Sequence, residues 1–229
     1  VSVREVVLDT ETTGLDPADG HRIIEICCLE LVGHLPTGRV FHTLVHPERE
    51  IPEDALRIHG LSAEILSGAP VFSAIADDFL SFVAEAPLVI HNAEFDLKFL
   101  NFELSRAGKP HLPVERGIDT IALAKKRFPG SRYSLDELCR RFNIDLSMRT
   151  KHGARIDAEL LAEVYLELLG GRQVRLALAP GDAPISIVQV EHIPRLRPMP
   201  LAPRLTVDER ERHGRFVAAL EGDVIWAWA

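Results

Sequence analysis

The chain has 229 residues, 46% of them apolar and 26% charged, with a formal net charge of −8; this allows one domain with a substantial core plus an appendage, or two small domains. No apolar run approaches the length of a membrane span, and Arg4, Glu5 and Asp9 interrupt the N-terminal apolar residues, which argues against a signal peptide. Three cysteines, Cys27, Cys28 and Cys139, have neither the number of a disulfide framework nor the spacing of a zinc site, so a cytoplasmic protein with reduced thiols and no membrane contact is expected.

In chain order the first elements read as strands. Residues 4–8, 22–32 and 40–46 are rich in Val, Ile, Leu and Phe and are separated by Gly and Pro signals, so three strands with short connections are expected, the short connections favouring antiparallel neighbours. The stretch VVLDTETTGLD, residues 6–16, puts Asp9 and Glu11 two residues apart at the end of the first strand. With a period of two they point to one side, with Val7 beneath them. Two acids so placed repel, and divalent cations with a preference for oxygen ligands, magnesium or manganese, would neutralise them. Thr12, Thr13 and Gly14 follow with small donors that can approach a ligand closely. The plain alternative is a solvated strand end with a polar turn.

Residues 72–85 carry a helical face of Phe72, Ile75, Ala76, Phe79 and Val83, and Leu88 to Ile90 form a short buried strand. HNAEFDLKFLNFEL then runs into a helix with Phe95, Phe99 and Phe102 on one stripe. Asp96 falls in its first turn, where the helix dipole alone would favour an acid. Ser134 with Glu137 is a capping-box signature for a helix through about Phe142. Between residues 125 and 155 nine basic side chains face three acids, a local +6 that could steer a phosphate backbone despite the acidic total.

The stretch KHGARIDAELLAEVYLELLGG, residues 151–171, places Leu161, Val164 and Leu168 four, seven and eleven positions after Asp157, which sets Asp157 on the inward face of a helix. Positions 160, 161, 164 and 165 are Leu, Leu, Val and Tyr, so no basic residue follows at helical spacing to pair with it. A metal is the expected partner for its charge. His152, five residues earlier and followed by Gly153, lies in the approach to this helix, where an imidazole near a metal-bound water is suited to take its proton.

Asp9 and Glu11 in DTETTG, Asp96 in HNAEFD, and His152 with Asp157 in HGARID together resemble the DEDD exonuclease superfamily in its histidine variant. Where the tyrosine variant would have its tyrosine, four residues before Asp157, stands Gly153. Over essentially its whole length, including RIIEI, IHGLS, FPGSRYSLDELCRRFNID and LLAEVYL, the chain is similar to the family of epsilon proofreading subunits of bacterial DNA polymerase III. This resemblance implies an α/β, ribonuclease H-like exonuclease fold, with a mixed sheet flanked by helices, and 3′-to-5′ hydrolysis of a single-stranded or frayed DNA end. It implies that Asp9, Glu11 and Asp157 hold one divalent cation, that Asp9 and Asp96 place a second with Asp96 acting through water, and that His152 is the general base. Thr12, Thr13, Gly14 and Leu15 would line the terminal nucleotide's pocket with Asp9, Glu11 and Asp157, joined by His59, Asn92 and Phe95.

Beyond Gly171 the composition changes. Six of the fifteen prolines fall between Pro180 and Pro203, which argues for an extended linker. The organisation expected is an exonuclease domain over 1–171, a clamp-binding motif and linker over 172–203, and a polymerase-binding segment over 204–229. In QVRLAL, Gln173, Leu176 and Leu178 match the short motif by which replication proteins enter the sliding clamp's groove, with Leu178 where an aromatic is common. Thr206 with Glu209 suggests a second capping box, ahead of an apolar face bearing Phe216 and of Trp226 and Trp228. By resemblance this segment binds the polymerase catalytic subunit, aromatics being favoured anchors. Two other readings stay open: a structural tether between polymerase and clamp, and a stand-alone exonuclease acting on RNA or DNA ends.

Overall fold

The structure is a computed structural model of the chain and describes residues 3–147, 149, 152–171 and 206–219. It divides into two compact units, Val1–Ala177 and Leu178–Ala229. In the first, the elements run β1 (Arg4–Thr12), β2 (Ile23–Val32), β3 (Leu35–Leu44), α1 (Glu53–His59), α2 (Ala63–Leu66), α3 (Phe72–Val83), β4 (Leu88–Ile90), α4 (Ala93–Arg106), β5 (Gly117–Asp119), α5 (Thr120–Arg127), α6 (Leu135–Phe142) and α7 (Ala154–Leu168).

The five strands form one mixed sheet in the order β3-β2-β1-β4-β5. The β1–β2 and β2–β3 pairs are antiparallel, as their short connections require, while β4 pairs in parallel with both β1 and β5. Alternation along β1 divides the core. Val6 and Leu8 face Phe72, Phe79, Phe99 and Leu100 of α3 and α4, whereas Val7 faces Leu138 of α6 and Leu161 and Val164 of α7. Each of these fully buried aliphatic side chains contributes roughly 1.5–3 kcal/mol of transfer free energy.

Two strand boundaries differ from the sequence reading. β1 continues to Thr12, so Asp9 and Glu11 lie within a paired strand and not beyond its end. β3 begins at Leu35, five residues earlier than expected, because a sheet edge tolerates the Pro36 and Gly38 that read as a turn. α7 begins at Ala154 and stops at Leu168. Gly170 and Gly171 follow at φ 124° and 74°, and the Gly171 N–H donates to the Leu166 carbonyl at 3.0 Å, a left-handed stop that favours glycine.

In the second unit α8 (Val207–Ala218) begins with the capping box read from Thr206 and Glu209, both reciprocal bonds being present, and Phe216 on it is exposed. Gln173, Leu176, Leu178, Trp226 and Trp228 lie outside the described residues. Among the described residues no helix is long and apolar enough to cross a membrane.

Candidate active site

Strand parity gathers the acids. Val7, Asp9 and Glu11 share a face of β1, and the β1–β2 register sets Cys27 opposite Asp9 and Glu25 opposite Glu11. α7 packs on this face through Leu161 and Val164 and delivers Asp157 from its first turn, 5% exposed. Asp96 arrives from α4, 4% exposed, and its Oδ1 accepts from the Thr10 hydroxyl at 2.7 Å and the Thr10 N–H at 3.2 Å. The Asp96 side chain is thus fixed by the residue between the two β1 acids. Glu11, His152 and Asp157 bring ligand atoms within 4.8 Å of one another.

One expectation is corrected here. Asp157 does have a basic partner: Arg149 donates from Nε to Oδ1 and from Nη2 to Oδ2, both at 2.6 Å. The guanidinium comes from the segment before α7, eight residues upstream, where helical spacing after Asp157 could not reveal it. Its Nη2 also donates to His152 Nδ1 at 2.9 Å, and Nη1 bonds Asp136 on α6. His152 Nδ1 therefore accepts, and the ring proton sits on Nε2. The imidazole is half exposed, and its backbone N–H donates to the Ile58 carbonyl at 3.3 Å, tying it to α1.

Burial, joined at Asp9 and Glu11 by neighbouring carboxylates, disfavours the charged forms of three of these acids. Burial pushes Asp9 well above the usual carboxylate range, and the negative charges of Asp96, Glu11 and Asp157 add to it. Glu11 is pushed up to about 8, first by burial, then by Asp157 and Glu25. Asp96 rises to about 7 through burial, against the lowering effect of its two Thr10 bonds. A site of oxygen donors with one imidazole, in which Asp9, Glu11 and Asp96 resist losing their protons, fits divalent cations of the hard oxygen-preferring kind.

Beside the acids lies a cavity of about 440 Å³ lined by Thr10 to Leu15, His21, Pro52, Asp54, Ala55, Ile58, His59 and Phe95. That volume suits a small ligand such as a nucleotide. Thr12, Thr13, Gly14, Leu15, His59 and Phe95 are brought together there, with Leu15 and Ile58 exposing apolar side chains. The His21 ring lies against Gly14 so closely that a Cβ at 14 would sit 2.3 Å from it, which explains the glycine. Asn92 is placed elsewhere: at φ 75° it is exposed at the start of α4, its N–H bonded to Asp119 Oδ1 at 3.2 Å, outside the cavity lining. Glu25 and His21 are not among the residues to which the sequence points, and Arg149 stands there only as one of the nine basic side chains between 125 and 155. An acid in the apolar run RIIEI was a signal of the same kind as Asp9.

The basic stretch is only partly free. Arg140 and Arg155 pair with Glu137 and Glu159, and Arg149 is inside the site. Arg127 and Arg141 stack over Phe128 at 5.4 and 4.6 Å. Lys125, Lys126 and Arg132 remain exposed.

The family model described as Exonuclease matches residues 6–165. DNA polymerase III subunit epsilon of Rickettsia felis is 47% identical over 223 residues, covering 96% of this chain and 97% of that protein. The chain belongs to the exonuclease family of epsilon subunits. Escherichia coli epsilon is 45% identical over 184 residues, covering 77% of this chain and 75% of its own length. Among solved structures, the nuclease domain of 3′hExo, a DEDDh family member bound to rAMP, superposes with a TM-score of 0.64 at 19% identity, covering 73% of this chain and 92% of that one. Exonuclease X in complex with 5′ overhanging duplex DNA gives 0.57 at 24% identity, covering 72% and 90%. The mixed sheet flanked by helices is thus the ribonuclease H-like exonuclease fold, and this epsilon-family chain is a proofreading 3′-to-5′ exonuclease.

Proposed function

We propose that Asp9, Glu11, Asp96, His152 and Asp157 hydrolyse the terminal phosphodiester of a single-stranded or frayed DNA 3′ end, using two divalent cations, Mg²⁺ or Mn²⁺. The observation that carries this reading is the meeting of Glu11 of β1 with Asp157 and His152 beside a nucleotide-sized cavity, with Asp9 on the same face of the strand. Asp9, Glu11 and Asp157 would hold one cation and Asp9, with Asp96 through water, the other. When bound, the cations offset the charge that builds on the phosphate and lower the pKa of water.

The chain's own residues do the rest. The cavity takes the terminal nucleotide, with Phe95, Leu15 and His59 offering faces for the base and Thr12, Thr13 and Gly14 lying close to the backbone. Arg149 bonds both Asp157 and His152 Nδ1, so a cation held by Asp157 would stand in place of the guanidinium and would leave His152 Nδ1 free to accept a proton. His152 then takes the proton of the attacking water. Changing His152 to Ala lowers turnover by roughly 10² to 10⁴ fold, the usual contribution of a general base, while Mn²⁺ affinity stays within a few fold. Steady-state kinetics with Mn²⁺ titration checks this, and a loss of affinity as deep as that of Asp157→Ala would make His152 a ligand instead.

The epsilon relatives are named as subunits of DNA polymerase III, and on that ground this chain works in the cytoplasm attached to the polymerase catalytic subunit. The exposed Phe216 on α8 supports the C-terminal segment, with Trp226 and Trp228, as the attachment, whereas Gln173, Leu176 and Leu178 serve as a clamp motif on the ground of their sequence match alone. A chain ending at residue 171 should keep its fold and its hydrolysis of free single strands while losing affinity for both polymerase subunit and clamp. Size-exclusion co-elution is the check. Full-length affinity in the shortened chain would put the contacts on residues 1–171.

A further inference from the structure

α7 carries Asp157 in its first turn and follows directly on His152, yet it has no cap of its own. Its N-cap is Gly153, with no side chain to accept from the first helical N–H groups. The Ala154 N–H instead donates across the sheet, over 129 residues of sequence, to Glu25 Oε2 at 3.0 Å. The other oxygen of Glu25 bonds His42 Nε2 of β3 at 2.7 Å. The Glu25 side chain is 8% exposed. With both oxygens occupied it is not placed as a metal ligand.

This arrangement is not what helix stability alone would select. A Ser, Thr, Asp or Asn at 153 would cap α7 locally, and a carboxylate at 25 stands directly opposite Glu11 in the β1–β2 register, where like charges repel. What the cross-sheet cap adds is a tie between the start of α7 and the strand facing Glu11.

We propose that Glu25 is a positioning residue for the nuclease reaction: it replaces the missing cap of α7 and so holds the His152–Asp157 segment in register with Glu11. This rests on the roles given above to Glu11, His152 and Asp157. The test uses the full chain, with kcat and KM on a short labelled single strand, Mn²⁺ affinity by electron paramagnetic resonance, and melting by circular dichroism. Glu25→Ala should lower kcat about 10- to 100-fold, the range for groups that orient metal ligands, and weaken Mn²⁺ binding several-fold, with KM for the strand within about twofold. Glu25→Gln should recover most of kcat, because its amide oxygen can still accept from Ala154. Gly153→Ser in the Glu25→Ala background should recover it by a different route, supplying the cap from within the helix.

Turnover and Mn²⁺ affinity at the level of the unaltered chain in Glu25→Ala would overturn the proposal. So would a loss that neither Glu25→Gln nor Gly153→Ser recovers. If Glu25→Ala melts below the assay temperature, the double variant decides: folded and active supports the cap, folded and inactive overturns it. An Asp157→Asn arm separates the two levels, since turnover surviving there would remove the site assignment itself, whereas an inactive Asp157→Asn beside an unaffected Glu25→Ala removes only the role of Glu25.

Discussion

Replacing Asp9 by Asn abolishes hydrolysis and at the same time raises the melting temperature of the metal-free protein near pH 8. Both effects have one cause. Asp9 stands among Asp96, Glu11 and Asp157, and burial together with their charge holds its carboxyl in the protonated form well above the usual range. Glu11 follows, raised from 4.5 to about 8. A carboxyl whose pKa is higher folded than unfolded binds its proton more tightly in the native state. Its stabilising contribution is therefore full below the unfolded value and is lost as pH rises through the folded value. Metal-free protein should lose stability from about pH 4.5 to about pH 8 through these groups, and the Asn variant should be spared part of that loss. The gain is a few degrees at pH 8, about 1 kcal/mol moving the midpoint of a domain this size by about 2–4 °C, and close to nothing at pH 4. Melts in chelator at the two pH values check this. A variant less stable than the unaltered protein at pH 8 would show that the acids do not repel as described.

Arg149→Met should act in the opposite direction. The guanidinium is 8% exposed and makes two short bonds to Asp157, itself 7% exposed at the side chain, so its removal leaves a buried carboxylate without its counter-ion. Breaking a buried pair from one side costs roughly 3–5 kcal/mol. Metal-free protein should melt several degrees lower, and saturating Mn²⁺ should restore most of the difference, because a cation at Asp157 makes the arginine dispensable there. The same substitution should tighten Mn²⁺ binding, the competitor having been removed. Thermal melts with and without Mn²⁺ read both effects. An equal deficit at saturating metal would mean that Arg149 serves the fold and does not stand in for a cation at Asp157.

The parts of the site that were legible in the sequence are those built on short-range periodicity. Asp9 and Glu11 share a face because strands repeat every two residues, and Asp157 turns inward because Leu161, Val164 and Leu168 do. Asp96 in a first turn was equally visible, although its Thr10 bonds were not. What escaped came from longer range. Arg149 reaches Asp157 from an irregular segment, and Glu25 meets Ala154 across 129 residues, contacts with no period to announce them. The fold shows the same division. α3, α4 and α7 have two turns or more of apolar stripe that the sequence shows, whereas α1, with seven residues, and α2, with four, are too short to show one, and β5 offers only Ile118 where the equally short β4 is Leu-Val-Ile. β3 was shortened because its Pro36 and Gly38 look like punctuation, and only its place at the sheet edge explains them.

The most direct measurement follows a duplex whose 3′-terminal nucleotide is mispaired, labelled at the 5′ end of that strand, in Mg²⁺ and in excess chelator, with the unaltered chain and with Asp157→Ala. The expected result is stepwise shortening from the 3′ end with release of mononucleotides, present only with the cation and only in the unaltered chain. Cleavage in excess chelator, internal cuts, or equal hydrolysis by Asp157→Ala would contradict a cation-dependent 3′-to-5′ exonuclease built on these acids.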